Sequence, residues 1–228
     1  MPLNLNRNTR TNAQKAAPYN AAALRLSPLL FALLYTGPVS ANNDVPISMS
    51  TLAVSKRLPH VSIYAVGGDI SKAVEGKLVV LGLTGKLKDQ WRWQTEYLGL
   101  FTQRGTQDIH DNRARIAATY SHTLEDWRLS VRPLIEYRNS EVLNGFRFRP
   151  KFEVSRPLTL LSQKITPAIK LTPSYELKSE LITFSFLTIG TKWSISPQVE
   201  ITGSYIRGIS HQRNTDTEGP SVSLSVRL

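Results

Sequence analysis

The stretch DWRLSVRPLIEYRN, residues 126–139, alternates between apolar and polar side chains over almost its whole length. Apolar side chains occupy the odd positions from Trp127 to Tyr137, whereas Arg128, Arg132 and Glu136 occupy even positions. Successive side chains of a β-strand point to opposite faces, so this pattern predicts a strand with one apolar face and one charged face. The fold class depends on which of these two faces lies inside.

The composition limits the classes of protein to which the chain can belong. Its 228 residues suffice for one sizeable domain or two small ones. The absence of cysteine excludes a disulfide framework and a thiolate metal site. The net charge of +11 is spread over alternate strand positions, and we find no zinc-finger, helix-turn-helix or ribonucleoprotein motif. We therefore predict no nucleic-acid partner.

The first 41 residues differ from the rest because they contain basic residues but neither Asp nor Glu. The apolar run LSPLLFALLYTG (26–37) has the length of a secretory h-region, and PVSA (38–41) ends in a small-x-small cleavage pattern. We predict that residues 1–41 are a signal peptide. A transit peptide is the alternative, because such peptides are also rich in arginine and free of acidic residues.

Beyond residue 58, period-two alternation dominates, and no window has a convincing helical period. Residues 42–58 are predicted to be a periplasmic lead-in or an extra strand, and 59–228 to form a single β domain. The predicted strands are 59–67, 77–87, 90–102, 112–123, 126–138, 145–156, 163–177, 180–193, 197–209 and 219–228.

The connections between these strands suggest the architecture. Polar segments such as 68–76 and 103–111 alternate with short turns at 88–89 and 124–126. Long loops at one end and tight turns at the other are typical of outer-membrane barrels. The pattern predicts an all-β, up-and-down antiparallel transmembrane barrel of about ten strands, with twelve as the alternative.

The positions of the aromatic residues indicate which face is outside. Several lie near the predicted strand ends and would form two belts at the edges of a bilayer. The aromatic residues assigned to these belts are Trp91, Trp127, Trp193, Tyr120, Phe101 and Tyr137. The apolar face is therefore predicted to face lipid.

The charged face then lines the lumen. The residues predicted to line it are Arg92, Glu96, Arg113, Arg115, Arg128, Arg132, Glu136, Arg138, Arg147, Arg149, Lys151 and Glu153. In a narrow barrel such charges must pair or stay hydrated, so one interpretation is a structural network of ion pairs. The alternative is a path for anionic solutes, because arginine binds carboxylate and phosphate groups well.

Motifs for enzymatic chemistry are absent. The four histidines lack zinc-type spacing, and there is no phosphate-binding loop, nucleophile elbow or paired-carboxylate signature. His211 is similar in position to the catalytic histidine of the outer-membrane lipid A deacylase family. That family has a serine directly after its histidine, whereas this chain has Gln212, with Ser210 before it. We predict no catalytic residue, metal or cofactor, and expect that the protein is not an enzyme.

Three segments carry a resemblance to a family of bacterial outer-membrane β-barrels of unknown function. They are DNRARIAATYSHTLEDWRLSVRPLIEYRN (111–139), GFRFRPKFEVSRPL (145–158) and TIGTKWSISPQVEITGSYIRG (188–208). The chain ends in Leu228 where such barrels usually end in Phe. More distantly, TEYLGLFTQRGTQDIHDNRARI (95–116) is similar to the opening strands of oligogalacturonate-specific porins.

These resemblances imply a location in the outer membrane of a Gram-negative bacterium. The expected partners are outer-membrane lipid, the barrel-assembly machinery and, if the lumen is open, anionic solutes. The expected function is structural or that of a narrow passive pore. A porin for anionic solutes such as acidic oligosaccharides is the first alternative, and a lipid-modifying enzyme built around His211 is the second.

Overall fold

The computed structural model describes residues 44–72, 75–104, 107–141, 144–160, 163–212 and 215–228. The predicted signal peptide at 1–41 lies outside these ranges. Over the ranges given, no helix is long and apolar enough to cross a membrane.

The described residues form fourteen strand segments. They are β1 Val45–Arg57, β2 Val61–Lys72, β3 Glu75–Lys88, β4 Trp91–Arg104, β5 Gln107–Leu124, β6 Trp127–Arg132, β7 Leu134–Ser140, β8 Gly145–Phe148, β9 Lys151–Ser155, β10 Leu158–Leu160, β11 Gln163–Glu176, β12 Leu181–Ser194, β13 Val199–Ser210 and β14 Thr217–Arg227.

The fourteen segments make eleven barrel strands, because short interruptions divide two of these strands. The segments β6 and β7 pair with β5 in one continuous register on either side of Pro133. The segments β8, β9 and β10 pair with β11 in one continuous register, with breaks that include Pro150 and Pro157. Proline lacks a backbone N–H, so it interrupts the hydrogen-bond ladder without ending the strand.

The sheet closes on itself through its first and last strands. Each barrel strand pairs with its neighbours in chain order, and β1 pairs with β14 in parallel from Val45↔Thr217 to Ser55↔Arg227. The prediction of a closed all-β barrel is confirmed. The predicted number of ten or twelve antiparallel strands is wrong, because residues 45–57 add an eleventh strand and an odd number closes with one parallel pair.

The predicted alternation of long loops and tight turns is also wrong. Most of 68–76 and 103–111, assigned to polar loops, lies within β2 to β5. In β2, Asp69 and Ser71 are exposed on either side of the half-buried Ile70. These polar residues lie on the outer face of strand ends at the barrel rim, and their polarity therefore indicated exposure and not a loop.

The barrel has two ends. At one end lie the turns at 58–60, 89–90, 125–126 and 195–198, and β14 finishes there. We call it the tryptophan end, because Trp91, Trp127 and Trp193 lie next to these turns. At the other, the far end, β1 begins and the connection at 177–180 lies.

The barrel is apolar outside and polar inside. Leu81, Ile116 and Ile189 are more than half exposed on the outer face, whereas Glu136 is 0% exposed. Leu129, Val131 and Ile135 are exposed on the outer face, whereas Arg132 and Glu136 point inward and form ion pairs. This arrangement is the reverse of a water-soluble barrel, in which apolar side chains fill the interior.

Candidate functional site

Five charged side chains form a row across the inner wall, and we call them the charge row. Strand register places them side by side in the order Glu96, Arg115, Glu136, Arg147 and Glu176. They come from β4, β5, β7, β8 and β11, and their charges alternate from strand to strand. Directly paired opposite charges on one face of a sheet stabilise the pairing.

Glu136 is the centre of this row. Arg115 Nε donates to its Oε2 at 2.5 Å, and Arg147 Nη2 donates to its Oε1 at 2.5 Å. Arg113 Nη1 and Arg149 Nη1 lie 3.8 and 3.5 Å from Oε2. Arg113 is closer to the far end than the row, and Arg149 is closer to the tryptophan end. The carboxylate is fully buried, so these four guanidinium groups replace its hydration.

A second carboxylate, Asp111, lies in the same cluster towards the far end. It is 2% exposed and accepts bonds from Arg113 Nε and Nη2 at 3.1 and 2.7 Å, the bidentate geometry that suits arginine and carboxylate. Arg138 also forms an ion pair with it. Asp111 therefore anchors the end of the cluster that is closer to the rim.

Glu96 extends the cluster to β2 and β6. Arg132 Nη2 donates to its Oε2 at 3.2 Å, and the Tyr64 hydroxyl donates to its Oε1 at 2.7 Å. Gln94 donates to both the Tyr64 hydroxyl and Glu96. The tyrosine ring lies over Gly82, where an added Cβ would be 2.1 Å from the ring.

Apolar side chains fill the inner face beside the cluster. Val66 pairs with Val80, Val80 pairs with Leu98, and Leu98 pairs with Arg113. Val80 is buried, as are Ala117 and Leu134 within the cluster. The far-end half of the lumen is thus filled by an ion-pair cluster packed against apolar side chains.

The predicted lumen residues divide between the two halves of the barrel. The residues brought together in the cluster are Glu96, Arg113, Arg115, Arg132, Glu136, Arg138, Arg147 and Arg149. The others lie towards the tryptophan end, where Lys151 pairs with Glu153 at 3.0 Å. There Arg128 lines a cavity in the lumen, and Arg92 lines a second cavity next to it.

The predicted belt residues lie on the outer face. Trp91, Trp127 and Trp193 are between 40% and 49% exposed at the tryptophan end, where the Trp91 ring contacts that of Tyr120 at 5.1 Å. Phe101 and Tyr137 are exposed towards the far end. The aromatic side chains on the inner face of β12 are different ones, since Phe186 lies under the Arg149 guanidinium at 5.8 Å.

A serine and a histidine meet on the outer face near the far end. Ser185 Oγ lies 2.9 Å from His211 Nε2, and the His211 backbone N–H donates to the Thr183 carbonyl at 3.1 Å. Ser185 pairs directly with Ile209, so His211 lies two residues further along the same face of the neighbouring strand. Sequence reasoning considered only Ser210 and Gln212 as neighbours, because the contact joins β12 to the end of β13.

Sequence reasoning also missed Asp111, which it assigned to a loop. The signal was present in the sequence, because Asp111 continues the two-residue spacing of Arg113 and Arg115. Nothing in the sequence indicated that Tyr64 joins the cluster, since its bond to Glu96 connects β2 to β4 over Gly82 of β3. No group of His, Asp and Glu side chains among the described residues could hold a metal ion.

Comparison with known proteins gives one remote likeness. No family model and no curated protein matches the chain. A solved structure, LpxR from Salmonella typhimurium, is similar with a TM-score of 0.48 and 8% identity, over 73% of this chain and 83% of that one.

The expectation that the chain is not an enzyme is corrected here. Ser185 Oγ lies 2.9 Å from His211 Nε2, so the lack of a known catalytic motif in this barrel does not exclude catalysis. Recurring catalytic groups are recognised by their geometry, and residues from different strands can form them without any sequence motif.

Proposed function

We propose that the chain is an outer-membrane β-barrel whose lumen is closed to through-passage by its ion-pair cluster. One observation carries the proposal: the fully buried Glu136 bound by arginines at the level of the charge row. Charges from five neighbouring strands meet there, and apolar side chains flank them. The apolar outer face supports the membrane location.

The alternative of an open path for anionic solutes has less support. Such a path needs cations that are free to exchange partners, whereas Arg113, Arg115 and Arg147 are each held by two carboxylates. We further propose that outer-membrane lipid surrounds the barrel. The alternating last strand β14 is proposed to be the segment that the barrel-assembly machinery recognises.

Conductance in planar lipid bilayers tests the closed lumen. The purified wild-type protein is expected to give no regular current steps. Replacing Arg147 and Arg149 by serine removes two large side chains from the cluster and is expected to produce steps. The matched control replaces Arg156 and Arg227 by serine, because both arginines lie near the tryptophan end outside the cluster. Regular wild-type steps of porin size would contradict the proposal.

Cell fractionation tests the location. The protein is expected in the outer-membrane fraction, as a species that runs faster on gels before heating than after it. Recovery in the soluble fraction would contradict a membrane barrel and would also remove the basis for the conductance experiment.

A second candidate function follows from the contact between Ser185 and His211. A serine hydroxyl within hydrogen-bond distance of an imidazole can be activated as a nucleophile, with the histidine as general base. The pair lies on the outer face near the rim, where a bilayer would present the acyl esters of its lipids. We therefore propose lipid acyl-ester cleavage as the activity to test.

Labelling with a fluorophosphonate probe tests this candidate, because such probes react with activated serines. Wild-type protein in lipid vesicles is expected to be labelled and to release fatty acid, whereas Ser185→Ala and His211→Ala lose both signals. Ser48→Ala is the control, since the Ser48 hydroxyl also bonds a neighbouring side chain, but that of Ser71 and not of a histidine. Unchanged fatty-acid release from Ser185→Ala would rule the serine out as nucleophile.

A further inference from the structure

The half of the lumen nearer the tryptophan end contains a cavity of about 460 Å³. Small side chains surround it at one level, because register pairs Ser155 with Ala168, Ala168 with Gly190, and Gly190 with Ser204. On the same strands, the cluster half carries the larger Arg147, Arg149 and Phe186 on its inner wall. Residue size therefore explains why one half of the lumen is filled and the other hollow.

Three cations line this cavity: Arg128, Lys170 and Lys192. Register places Lys170 beside Glu153 on β9, but Glu153 already pairs with Lys151 at 3.0 Å. Lys170 forms no hydrogen bond or ion pair with any residue that the structure describes. Lys170 is half-buried, and the carboxylate of Glu153 that attracts it also binds Lys151, so water or an anion is needed to complete its solvation.

The other two cations are also weakly satisfied. Among the residues that the structure describes, Arg128 donates one hydrogen bond, a long one of 3.5 Å to Ser121 Oγ. Lys192 lies 3.6 Å from Glu200, and the same carboxylate oxygen binds Arg227 at 2.8 Å. Positive charge therefore exceeds negative charge around the cavity.

One carboxylate, that of Glu153, also lines the cavity, and the other lining residues suit an oxyanion. Hydroxyl groups from several strands can donate hydrogen bonds into the cavity, and no aromatic side chain lines it. The hydroxyl-bearing residues are Thr119, Ser121, Ser130, Ser155, Thr166, Thr188, Thr202 and Ser204. The volume falls within the range of about 300–1,000 Å³ that small-molecule sites occupy.

We propose that this cavity binds a small soluble oxyanion with at least two negative charges, of the phosphate or carboxylate class, which enters from the tryptophan end. A second cavity that shares Ser121, Arg128 and Pro157 with it forms the entrance. The inference rests on the closed lumen proposed above, because the ion-pair cluster serves as the floor of the site.

Calorimetric titration of the purified full chain in detergent tests the proposal, with inorganic pyrophosphate and citrate as probes and maltose as the neutral comparison. At least one of the two anions is expected to bind in a saturable and salt-sensitive way. Removal of each charge-assisted hydrogen bond to the anion should weaken binding about tenfold. The variant Lys170→Gln with Lys192→Gln should therefore bind about a hundredfold more weakly.

Two further variants make the result decisive. Lys178→Gln removes the same charge from an exposed turn at the far end and should bind as the wild type does. Ala168→Leu leaves all charges in place but fills the cavity, so it should abolish binding even if the double lysine variant fails to fold. The folded fraction of each variant is measured by gel mobility before and after heating.

The outcomes separate this proposal from that of the closed lumen. Binding of only one anion assigns the ligand class, and binding of both assigns a general oxyanion site. The proposal is overturned if neither anion binds, if maltose binds equally, or if Lys178→Gln weakens binding as much as the cavity variants do. Because binding is measured without a membrane, a current through the wild-type barrel would contradict the closed lumen alone.

Discussion

Glu136 shows how strongly a single buried charge depends on its neighbours. Its carboxylate is inaccessible to water and contacts Arg115 and Arg147 from the two adjacent strands. A buried ion pair gains little over an apolar pair of the same size, but removing one partner leaves the others uncompensated. Removing the Glu136 carboxylate therefore costs more stability than the intact ion pairs add.

We expect Glu136→Gln to destabilise the barrel by about 3–5 kcal/mol, because four arginines would lose their shared counter-charge. Urea unfolding in detergent, followed by tryptophan fluorescence, measures this change. Asp89→Asn is the control, since the Asp89 side chain is 89% exposed in a turn and pairs with the exposed Lys86. Equal unfolding midpoints for the two variants would show that the cluster is not structural.

Gly82 and Gly67 form a matched pair for a second test at this scale. A Cβ at Gly82 would lie 2.1 Å from the Tyr64 ring, whereas a Cβ at Gly67 would have nothing within 4 Å. Gly82→Ala is expected to destabilise the barrel by about 1–3 kcal/mol through overpacking, and Gly67→Ala to be neutral or slightly stabilising. Unfolding midpoints decide the test, and tolerance of Gly82→Ala would mean that Tyr64 does not cover this strand.

At the scale of elements, three prolines lie in one row across adjacent strands. Flanking pairs place Pro133 opposite Pro150 and Pro150 opposite Pro173, and Pro173 pairs with Ser185. Each proline removes a ladder donor, and a β-bulge follows between Ser174 and Tyr175. The backbone hydrogen bonds that these prolines cannot make are thus all missing from one level of the sheet.

Hydrogen exchange should reveal this row. Amides at 131–137 and 148–154 are expected to exchange at least about tenfold faster than those at 78–84 and 94–100, where β3 and β4 pair without interruption. Mass spectrometry of peptides from the folded protein in detergent gives the rates. Uniform protection across all four segments would contradict a locally weakened ladder.

At the scale of the whole molecule, closure depends on one parallel pair. Because eleven is odd, β1 begins and β14 ends at opposite ends of the barrel, although the two strands are neighbours. Bacterial single-chain barrels usually have an even number of strands. The contact of β1 with β14 therefore sets the strand number, and with it the width of the lumen.

A disulfide tests this closure, and the chain has no cysteine of its own to interfere. Ser50 and Val222 are register partners, so Ser50→Cys with Val222→Cys should form a disulfide in the folded protein. Val226 lies four residues further along β14, roughly 13 Å away at the usual rise per residue, so Ser50→Cys with Val226→Cys should not. Gel mobility with and without reductant distinguishes them, and cross-linking of the second pair alone would refute the register.

Much of the barrel can be predicted from local alternation. In 126–139 the spacing of Trp127, Arg128 and Glu136 determines which side chains share a face, because strand side chains alternate regardless of what surrounds them. Aromatic positions then indicate that the apolar face is the outer one. The polar strand ends at the barrel rim were assigned to loops, since exposed strand ends and loops have similar amino-acid compositions.

The sequence by itself determined the fold class, the two faces of each strand and most of the charged residues inside. Only the tertiary structure decided the strand number, the order of the charge row, the contact of Ser185 with His211 and the cavity beside Lys170. The physical reason is that alternation is a property of one strand, whereas these features depend on register between strands. Register is set by closure and packing of the whole sheet.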